Sequence, residues 1–128
     1  MNELSKVDLV GVGLNATDTL IRLPHYPALG SKVEFRSADV LPGGQVATAV
    51  AACQHWGLHT RYVGKIGDDS AAAIHRAEFE RLGVESHLLT PPRFPSQQAV
   101  ILGDQVGRPT GAWNPEPLTA AHPRSLAR

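Results

Sequence analysis

This 128-residue sequence has one cysteine and no net charge, and each of these facts excludes a class of protein. The single cysteine, Cys53, cannot form an internal disulfide, so the chain is not one of the small secreted domains that disulfides hold together. Twelve Lys and Arg balance twelve Asp and Glu, and therefore no net field favours nucleic acid or an anionic membrane. Small uncharged ligands remain as candidates.

Long apolar runs and a leader segment are also missing. The longest apolar stretches, at 47–53 and 99–102, are far shorter than the roughly 20 residues that span a bilayer. The first residues lack the order of a signal peptide, in which basic residues precede an apolar run. The sequence therefore predicts a protein of the reducing cytoplasm.

What the sequence does contain is an alternation of strand and helix patterns. Residues 7–13 are a short β-branched run that ends in glycine, which is typical of a buried strand. Within 46–56 the apolar residues recur at helical spacing, and Gly57 stands where a left-handed C-terminal cap belongs. A strand, a helix and another strand follow, at 60–63, 71–82 and 86–90. This order predicts a parallel sheet with helices on its faces.

Two further groups of extended runs stand apart from this alternation. Residues 20–23 and 32–36 are brief runs separated by prolines and a glycine, and the second alternates polar with apolar side chains. Residues 97–102 and 109–113 have the pattern of a hairpin whose turn ends at Gly107. Because such alternation indicates a half-exposed surface, we expect a small sheet separate from the main one.

Paired glycines stand directly before the first helix and could carry chemistry. Gly43 and Gly44 would let the backbone approach a ligand closely, and a helix N-terminus offers free N–H donors. A plain turn that enters a helix explains the same pair without a ligand. A second glycine-rich segment, 64–69, is explained by helix capping through Asp69 or Ser70.

Asp18 ends a polar segment, 13–18, that follows the first strand. Open α/β sheets bind ligands at the carboxyl ends of their strands, so this carboxylate could accept hydrogen bonds from sugar hydroxyls. Aspartate is also a common turn residue, and a capped turn remains the alternative.

Taken in this order, the segments resemble the first part of the ribokinase-like, or PfkB, family of carbohydrate kinases. The resemblance runs from about residue 7 to residue 102, and 43–57 with 63–69 is similar to the family's first signature. It implies an α/β fold, an incomplete three-layer α/β/α sheet with a small β lid. Residues 1–113 would be the N-terminal part of the kinase domain, with the lid near 20–40, its strand at 33–39, and 97–113. Residues 114–128, with three prolines, would be an irregular or disordered tail.

The resemblance also implies a sugar site. The matching positions are Asp18, Gly43, Gly44, Gln45, Thr48 and Gln98. Asp18 would accept hydrogen bonds from sugar hydroxyls. Thr48 departs from the family, because asparagine is common there and a hydroxyl makes fewer hydrogen bonds than an amide. Gln98, or its neighbour Gln97, falls where a lid strand covers the sugar, although a polar strand residue is often only solvent-facing.

The residues for phosphoryl transfer are not found in the sequence. In the family, a Gly-Ala-Gly-Asp-like segment supplies an anion hole and a catalytic aspartate, and no such segment occurs in these 128 residues. The intact family uses ATP and Mg²⁺ on a sugar hydroxyl, and some members form a homodimer through the lid. We therefore expect the sugar-binding part of a kinase that holds no catalytic residue, binds ATP poorly and is inactive alone.

Two other interpretations stay open at this point. Residues 11–16 fit the G-x-G-x-x-A pattern of dinucleotide-binding oxidoreductases, with Glu34 near the distance of a ribose-binding acid. That pattern needs a helix immediately afterwards, and Pro24 and Pro27 leave no room for one. The other interpretation is a degenerate, non-catalytic sugar-binding fragment whose parallel sheet has an unpaired edge and uncovered apolar faces. The six histidines show no metal-ligand spacing.

Overall fold

A computed structural model describes residues 5–107 and 109–114, and it has a mixed α/β architecture. The elements in chain order are β1 Leu9–Val12, β2 Ala16–Arg22, β3 Ser37–Gly43, α1 Gln45–His55, β4 Thr60–Lys65, α2 Ser70–Leu82, β5 Glu85–Leu89, β6 Gln98–Gly103 and β7 Pro109–Trp113. The predicted irregular tail lies outside the described residues from position 115 onward.

The strands form two separate sheets. The core sheet is parallel and has the order β1-β4-β5. The lid sheet has the order β3-β2-β6-β7, in which β2 and β6 run parallel and the outer pairs run antiparallel. The small sheet predicted from the alternating runs is therefore confirmed, and β6 and β7 form the predicted hairpin.

The segment after β1 is a strand and not a helix. β2 begins at Ala16, only three residues after Gly13, and pairs with both β3 and β6. A dinucleotide-binding turn needs a helix at this point to hold the pyrophosphate at its N-terminus. The oxidoreductase interpretation is therefore wrong.

The lid strand β3 begins later than the sequence pattern predicts. It was expected at 33–39, with 32–36 extended, but it starts at Ser37 and continues to Gly43. Its partner β2 ends at Arg22, and the last backbone contact between them is the Arg36 N–H donating to the Arg22 carbonyl at 2.8 Å. The chain turns away at Pro24, so residues before Arg36 have no partner strand in β2.

Both helices pack on one face of the core sheet. The buried cluster between them contains Ala47 and Val50 of α1, Tyr62 of β4 and Phe79 of α2. The rings of Tyr62 and Phe79 lie 4.8 Å apart between centroids, which is close aromatic packing. α2 begins after the predicted cap Asp69 and ends at a left-handed glycine. Neither helix of the described residues is long and apolar enough to cross a membrane.

The opposite face of the core sheet carries exposed apolar side chains. Val10 and Val12 alternate with Gly11, which lies against Val50 of α1, so both valines point away from the helices. They and Leu89 are each about half-exposed, at 51%, 57% and 50%. An apolar surface of this kind favours association or poor solubility.

Asp69 and Ser96 join the core to the lid. The Asp69 carboxylate accepts hydrogen bonds from Ala72 N–H at 2.9 Å, Ser96 N–H at 2.9 Å and Ser96 Oγ at 2.7 Å. Ser96 Oγ in turn accepts from Gly67 N–H at 3.0 Å. Burial of this carboxyl acts to raise its pKa, but the hydrogen bonds from Ser96 and Ala72 outweigh burial and hold the pKa below its ordinary value. Asp69 therefore fixes both the start of α2 and the approach to β6.

Replacing Asp69 with Ala should lower the free energy of unfolding by about 2 kcal/mol at neutral pH, because the variant loses a helix cap and charge-assisted hydrogen bonds. The pKa of the Asp69 carboxyl is lower in the folded than in the unfolded chain. The stability that its ionised form contributes is therefore present above the unfolded pKa of about 4, and it is lost as pH falls through the folded-state pKa. Urea unfolding of both proteins between pH 3 and pH 7 measures this. Asp68→Ala, at the exposed neighbouring acid, is the control. An equal effect of both substitutions at every pH would contradict the prediction.

Candidate sugar site

The Gly43-Gly44 turn lies directly on the backbone that leads from β1 into β2. Gly43 ends β3, and Gly44 is the N-cap of α1 with φ at 93°. A Cβ atom on Gly44 would stand 2.5 Å from Asn15 Cα and 2.7 Å from Ala16 N. Both the positive φ and the close approach require glycine at this position. The turn therefore holds the start of the lid sheet against the start of α1.

Asp18 lies against this turn, inside β2 rather than in a loop. The strand register pairs Ala16 with Gly43, and the Asp18 carboxylate occupies the space that a side chain on Gly43 would need. Burial raises the pKa of the Asp18 carboxyl, and nearby His75 acts in the opposite direction. No hydrogen-bond donor of the described residues is bonded to this carboxylate. The result is a partly buried acceptor beside the glycine turn.

Thr48 stands one helical turn into α1, beside the same glycines. Its N–H donates to the Gly44 carbonyl at 2.8 Å, and its side chain is exposed. A cavity of about 270 Å³ lies between the turn and the two helices. Its lining consists of Pro42, Gly43, Ala47, Thr48, Ala51, Ala52, His75, Glu78 and Phe79. Gln45, the first residue of α1, is exposed at the rim of the turn.

The structure thus brings Asp18, Gly43, Gly44, Gln45 and Thr48 to one place, and their role in ligand binding stays a prediction. A larger cavity, about 540 Å³, lies at the far end of the lid sheet between β2 and the β6–β7 hairpin. None of the predicted sugar-site residues lines it. The smaller cavity is lined by two of them, Gly43 and Thr48, whereas Asp18, Gly44 and Gln45 are not among its lining residues.

Gln98 is not brought to this place. It pairs with Thr17 in the β2–β6 register, so its side chain is on the face of the lid sheet opposite Asp18, and it is exposed. Its neighbour Gln97 is buried and lies on the Asp18 face. Adjacent residues of a strand point to opposite faces, which separates these two glutamines, and a role of either one in ligand binding stays a prediction.

His75 is a site residue that the sequence pattern did not single out. It is buried, and its Nε2–H donates to the Ala16 carbonyl at 2.7 Å. Burial lowers the pKa of His75, while the Ala16 carbonyl and Asp18 act to raise it. The signal in the sequence is helical spacing, since Ala71, His75 and Phe79 occupy one buried stripe of α2.

Asn15 and Tyr62 hold the turn between β1 and β2. The buried Asn15 amide donates to Tyr62 Oη at 2.8 Å and to the Lys65 carbonyl at 2.7 Å. Tyr62 Oη donates to the Gly13 carbonyl at 2.6 Å. Burial raises the pKa of the Tyr62 hydroxyl to about 12, although the Asn15 hydrogen bond opposes it. The hydroxyl therefore stays protonated as a donor, and the backbone before Asp18 is fixed.

Two common signals of nucleotide or metal binding are not found, one in the sequence and one among the residues that the structure describes. The 128-residue sequence contains no phosphate-binding G-x-x-x-x-G-K-[ST] pattern. Among residues 5–107 and 109–114, no three His, Cys, Asp or Glu side chains are grouped so that they could hold a metal ion. We therefore assign no step of nucleotide or metal chemistry to a residue of this chain.

No family model matches the chain. Solved structures match it closely in fold. A ribokinase from Giardia lamblia superposes with a TM-score of 0.81 at 17% identity, over 95% of this chain and 38% of that protein. An Arabidopsis thaliana ribokinase in complex with ribose and ATP gives 0.75 at 21% identity, over 88% and 37%. A Methanocaldococcus jannaschii nucleoside kinase, an archaeal member of the ribokinase family, gives 0.71 at 16% identity, over 84% and 36%.

The chain spans less than two-fifths of the length of these three structures. At these identities the likeness concerns fold, and it extends to both sheets and both helices because nearly the whole described chain superposes. The 128 residues have the ribokinase-like α/β fold, as a partial version of the larger kinase chains that they superpose on.

Proposed function

We propose that this chain is the N-terminal, sugar-binding part of a PfkB or ribokinase-like carbohydrate kinase. The observation that carries the proposal is Asp18. Its carboxylate lies against the Gly43-Gly44 turn, has a pKa raised by burial, and is bonded to no donor among the described residues. A partly buried carboxylate without a protein partner is costly, and hydroxyl donors of a ligand would stabilise it.

Each neighbouring residue has a defined part in this site. Asp18 accepts hydrogen bonds from sugar hydroxyls, and the glycines let the sugar approach the backbone because they present no Cβ. Thr48 offers one hydroxyl group, which both donates and accepts. His75 is a positioning residue, since it holds the Ala16 carbonyl and with it the first turn of β2. The solved relatives include one with ribose and a nucleoside kinase, so the ligand class is a sugar or a nucleoside.

Phosphoryl transfer is proposed for the intact relatives of this chain and not for the 128 residues alone. The reaction needs a carboxylate that accepts the proton of the attacking hydroxyl, together with donors that stabilise charge on the transferring group. In the family these come from a Gly-Ala-Gly-Asp-like segment, which this sequence does not contain. ATP and Mg²⁺ would accordingly bind outside the residues described here. A degenerate protein that binds sugar without a kinase partner remains the second candidate, which the open apolar face of the core sheet favours.

We further propose that two copies of the chain form a homodimer through the lid sheet. The proposed location of the protein is the cytoplasm. On the face of the lid sheet opposite Asp18, Thr19 pairs with Val40 on one side and Val100 on the other. Both valines are roughly half-exposed, at 50% and 44%. Burial of this apolar strip against a second copy would remove it from water.

Binding and turnover assays test the proposal. Calorimetric titration with D-ribose, D-fructose, 2-keto-3-deoxy-D-gluconate and adenosine should show saturable binding of at least one ligand. A coupled ADP-release assay with Mg²⁺, ATP and the same panel should show no sugar-dependent turnover. Failure of all four ligands to bind would contradict the proposed sugar site. Turnover in the ordinary kinase range of ~1–100 s⁻¹ would contradict the assignment of the phosphoryl-transfer residues to another part of the protein.

A further inference from the structure

The larger cavity, of about 540 Å³, lies at the end of the lid sheet opposite to the Gly43-Gly44 turn, and we call it the hairpin cavity. Its lining includes Leu20, Arg22, Leu23, Arg36, Gly103 and Pro109. Sites for small organic ligands have volumes of about 300–1,000 Å³, so this cavity is large enough for one. Arg22 follows Asp18 by four residues on β2, which is about 13 Å at ~3.3 Å per residue. A monosaccharide at Asp18 does not extend that far, so a ligand of the hairpin cavity is a separate one.

Gly103 leaves the floor of the hairpin cavity open. In the strand register this residue lies between Arg22 of β2 and Pro109 of β7. Among the described residues, a Cβ atom on Gly103 would meet only Leu20 Cδ1, at 3.9 Å, so there is free space above it. Leu20 and the buried Leu23 supply apolar surface to the lining. The cavity therefore has an apolar floor that an organic group can cover.

Two arginines, Arg22 and Arg36, line the same cavity. The Arg36 backbone N–H donates to the Arg22 carbonyl at 2.8 Å, which fixes the two residues side by side. The Arg36 side chain has a neutral partner: when the amide oxygen of Gln105 is turned toward it, both terminal nitrogens of the guanidinium donate to this oxygen, at 2.7 and 3.1 Å. An amide oxygen does not neutralise a guanidinium, which has further N–H donors for a ligand. The cavity therefore combines positive charge with an apolar floor.

Two acids near these arginines compete with a bound anion. Asp39 pairs with Arg22 at 3.8 Å, and both side chains are largely exposed. An exposed ion pair of this length contributes little, so an oxyanion that binds Arg22 displaces Asp39 at small cost. Asp104 lines the cavity and accepts the Val106 N–H at 3.0 Å within its own turn. Among the described lining residues two arginines outnumber this one acid, and the lining has a net positive charge.

We propose that the hairpin cavity binds a small organic phosphomonoester, with its phosphate group between Arg22 and Arg36 and its organic part over Leu20 and Leu23. A carboxylate is filled by the fork of a single arginine, whereas a phosphate has more terminal oxygens and more charge and accepts from both arginines at once. The apolar floor favours an organic phosphate over inorganic phosphate, because the organic part leaves water. The inference does not depend on the proposed sugar site, since none of the sugar-site residues lines this cavity.

Titration calorimetry of the full chain with phenyl phosphate, benzoate, inorganic phosphate and phenol tests the ligand chemistry. Phenyl phosphate should bind saturably and about 10-fold more tightly than each of the others, because it alone has both a phosphate and an apolar ring. Its affinity should fall with added salt, which screens the attraction between charges. Benzoate that binds as tightly would overturn the phosphate assignment. Equal affinity of inorganic phosphate would indicate an adventitious ion only, and a lack of saturable binding of phenyl phosphate would overturn the site.

Variants of the lining residues locate the binding. Arg22→Gln and Arg36→Gln should each lower the affinity for phenyl phosphate about 10-fold, because each removes charge-assisted hydrogen bonds. Arg76→Gln makes the same change at an exposed arginine of α2 and should leave the affinity unchanged. An equal loss in Arg76→Gln would show that the anion responds only to the overall charge of the chain, and it would overturn the inference.

Gly103→Leu fills the floor of the cavity and keeps both arginines. Because a Cβ atom at this position has room, the variant should unfold at the same temperature as the wild type or higher, while its affinity for phenyl phosphate falls about 10-fold. Unchanged affinity in a folded Gly103→Leu protein would show that the ligand does not enter the cavity, and the inference would fail. Binding of phenyl phosphate by a chain that binds none of the sugars named above would support this inference while it contradicts the proposed function.

Discussion

Gly44→Ala should lower the free energy of unfolding by about 2–6 kcal/mol, which is a large fraction of the stability of a small domain. Two costs add at this residue. A φ of 93° is a strained conformation for any residue with a Cβ, which costs roughly 1–3 kcal/mol. The added methyl group would also stand 2.5 Å from Asn15 Cα and 2.7 Å from Ala16 N, so rigid backbone would have to shift at a cost of about 1–3 kcal/mol.

Gly57→Ala is the matched control for this substitution. Gly57 follows α1 with nearly the same φ, 94°, but a Cβ there would meet nothing within 4 Å. Gly57→Ala should therefore show the conformational cost alone, about 1–3 kcal/mol. Urea denaturation followed by circular dichroism gives both values. Equal losses in the two variants would show that the turn does not approach the Asn15–Ala16 backbone, and the geometry of the candidate site would then be wrong.

The helices and the core strands could be predicted from the sequence because local chemistry specifies them. Asp69 before α2 and Gly83 after it are a helix cap and a left-handed terminator whose effects act within one turn. The separation of the lid from the core sheet was also predictable, because alternating runs such as 97–102 differ from the apolar runs of a buried parallel sheet.

What could not be predicted depends on register between distant segments. The start of β3 at Ser37 is set by where β2 ends, and residues 22 and 37 pair only in the folded sheet. The same register places the Gln98 side chain on the face of the lid sheet opposite Asp18. His75 and Asn15 contact backbone carbonyls 59 and 50 residues away in sequence, so no local pattern marks them. Asp18 and the glycine pair were singled out by their positions after a strand and before a helix, and only the family resemblance joined them into one sugar site.

Asp18→Asn should weaken binding of the best ligand of the panel about 10–100-fold without weakening the fold. A charged acceptor contributes roughly 1.5–3 kcal/mol per hydrogen bond, and asparagine in its place has one oxygen and no charge. Burial raises the pKa of the Asp18 carboxyl, so the ionised form is disfavoured in the folded state. At neutral pH the variant should therefore unfold at an equal or slightly higher temperature than the wild type. This advantage should disappear as pH falls below about 4, where aspartate is protonated in both folded and unfolded chains.

Asp39→Asn is the control for charge, because Asp39 is an exposed acid of β3 on the same face of the lid sheet, near Arg22 at 3.8 Å. Titration calorimetry measures affinity, and thermal unfolding between pH 3 and pH 7 measures stability. Equal losses of affinity in both variants would mean that the ligand responds to the general field of the lid rather than to Asp18. Unchanged affinity in Asp18→Asn would remove the central acceptor from the site. A large loss of affinity with unchanged or slightly higher stability is the result expected of a residue that binds a ligand and whose burial slightly destabilises the unliganded fold.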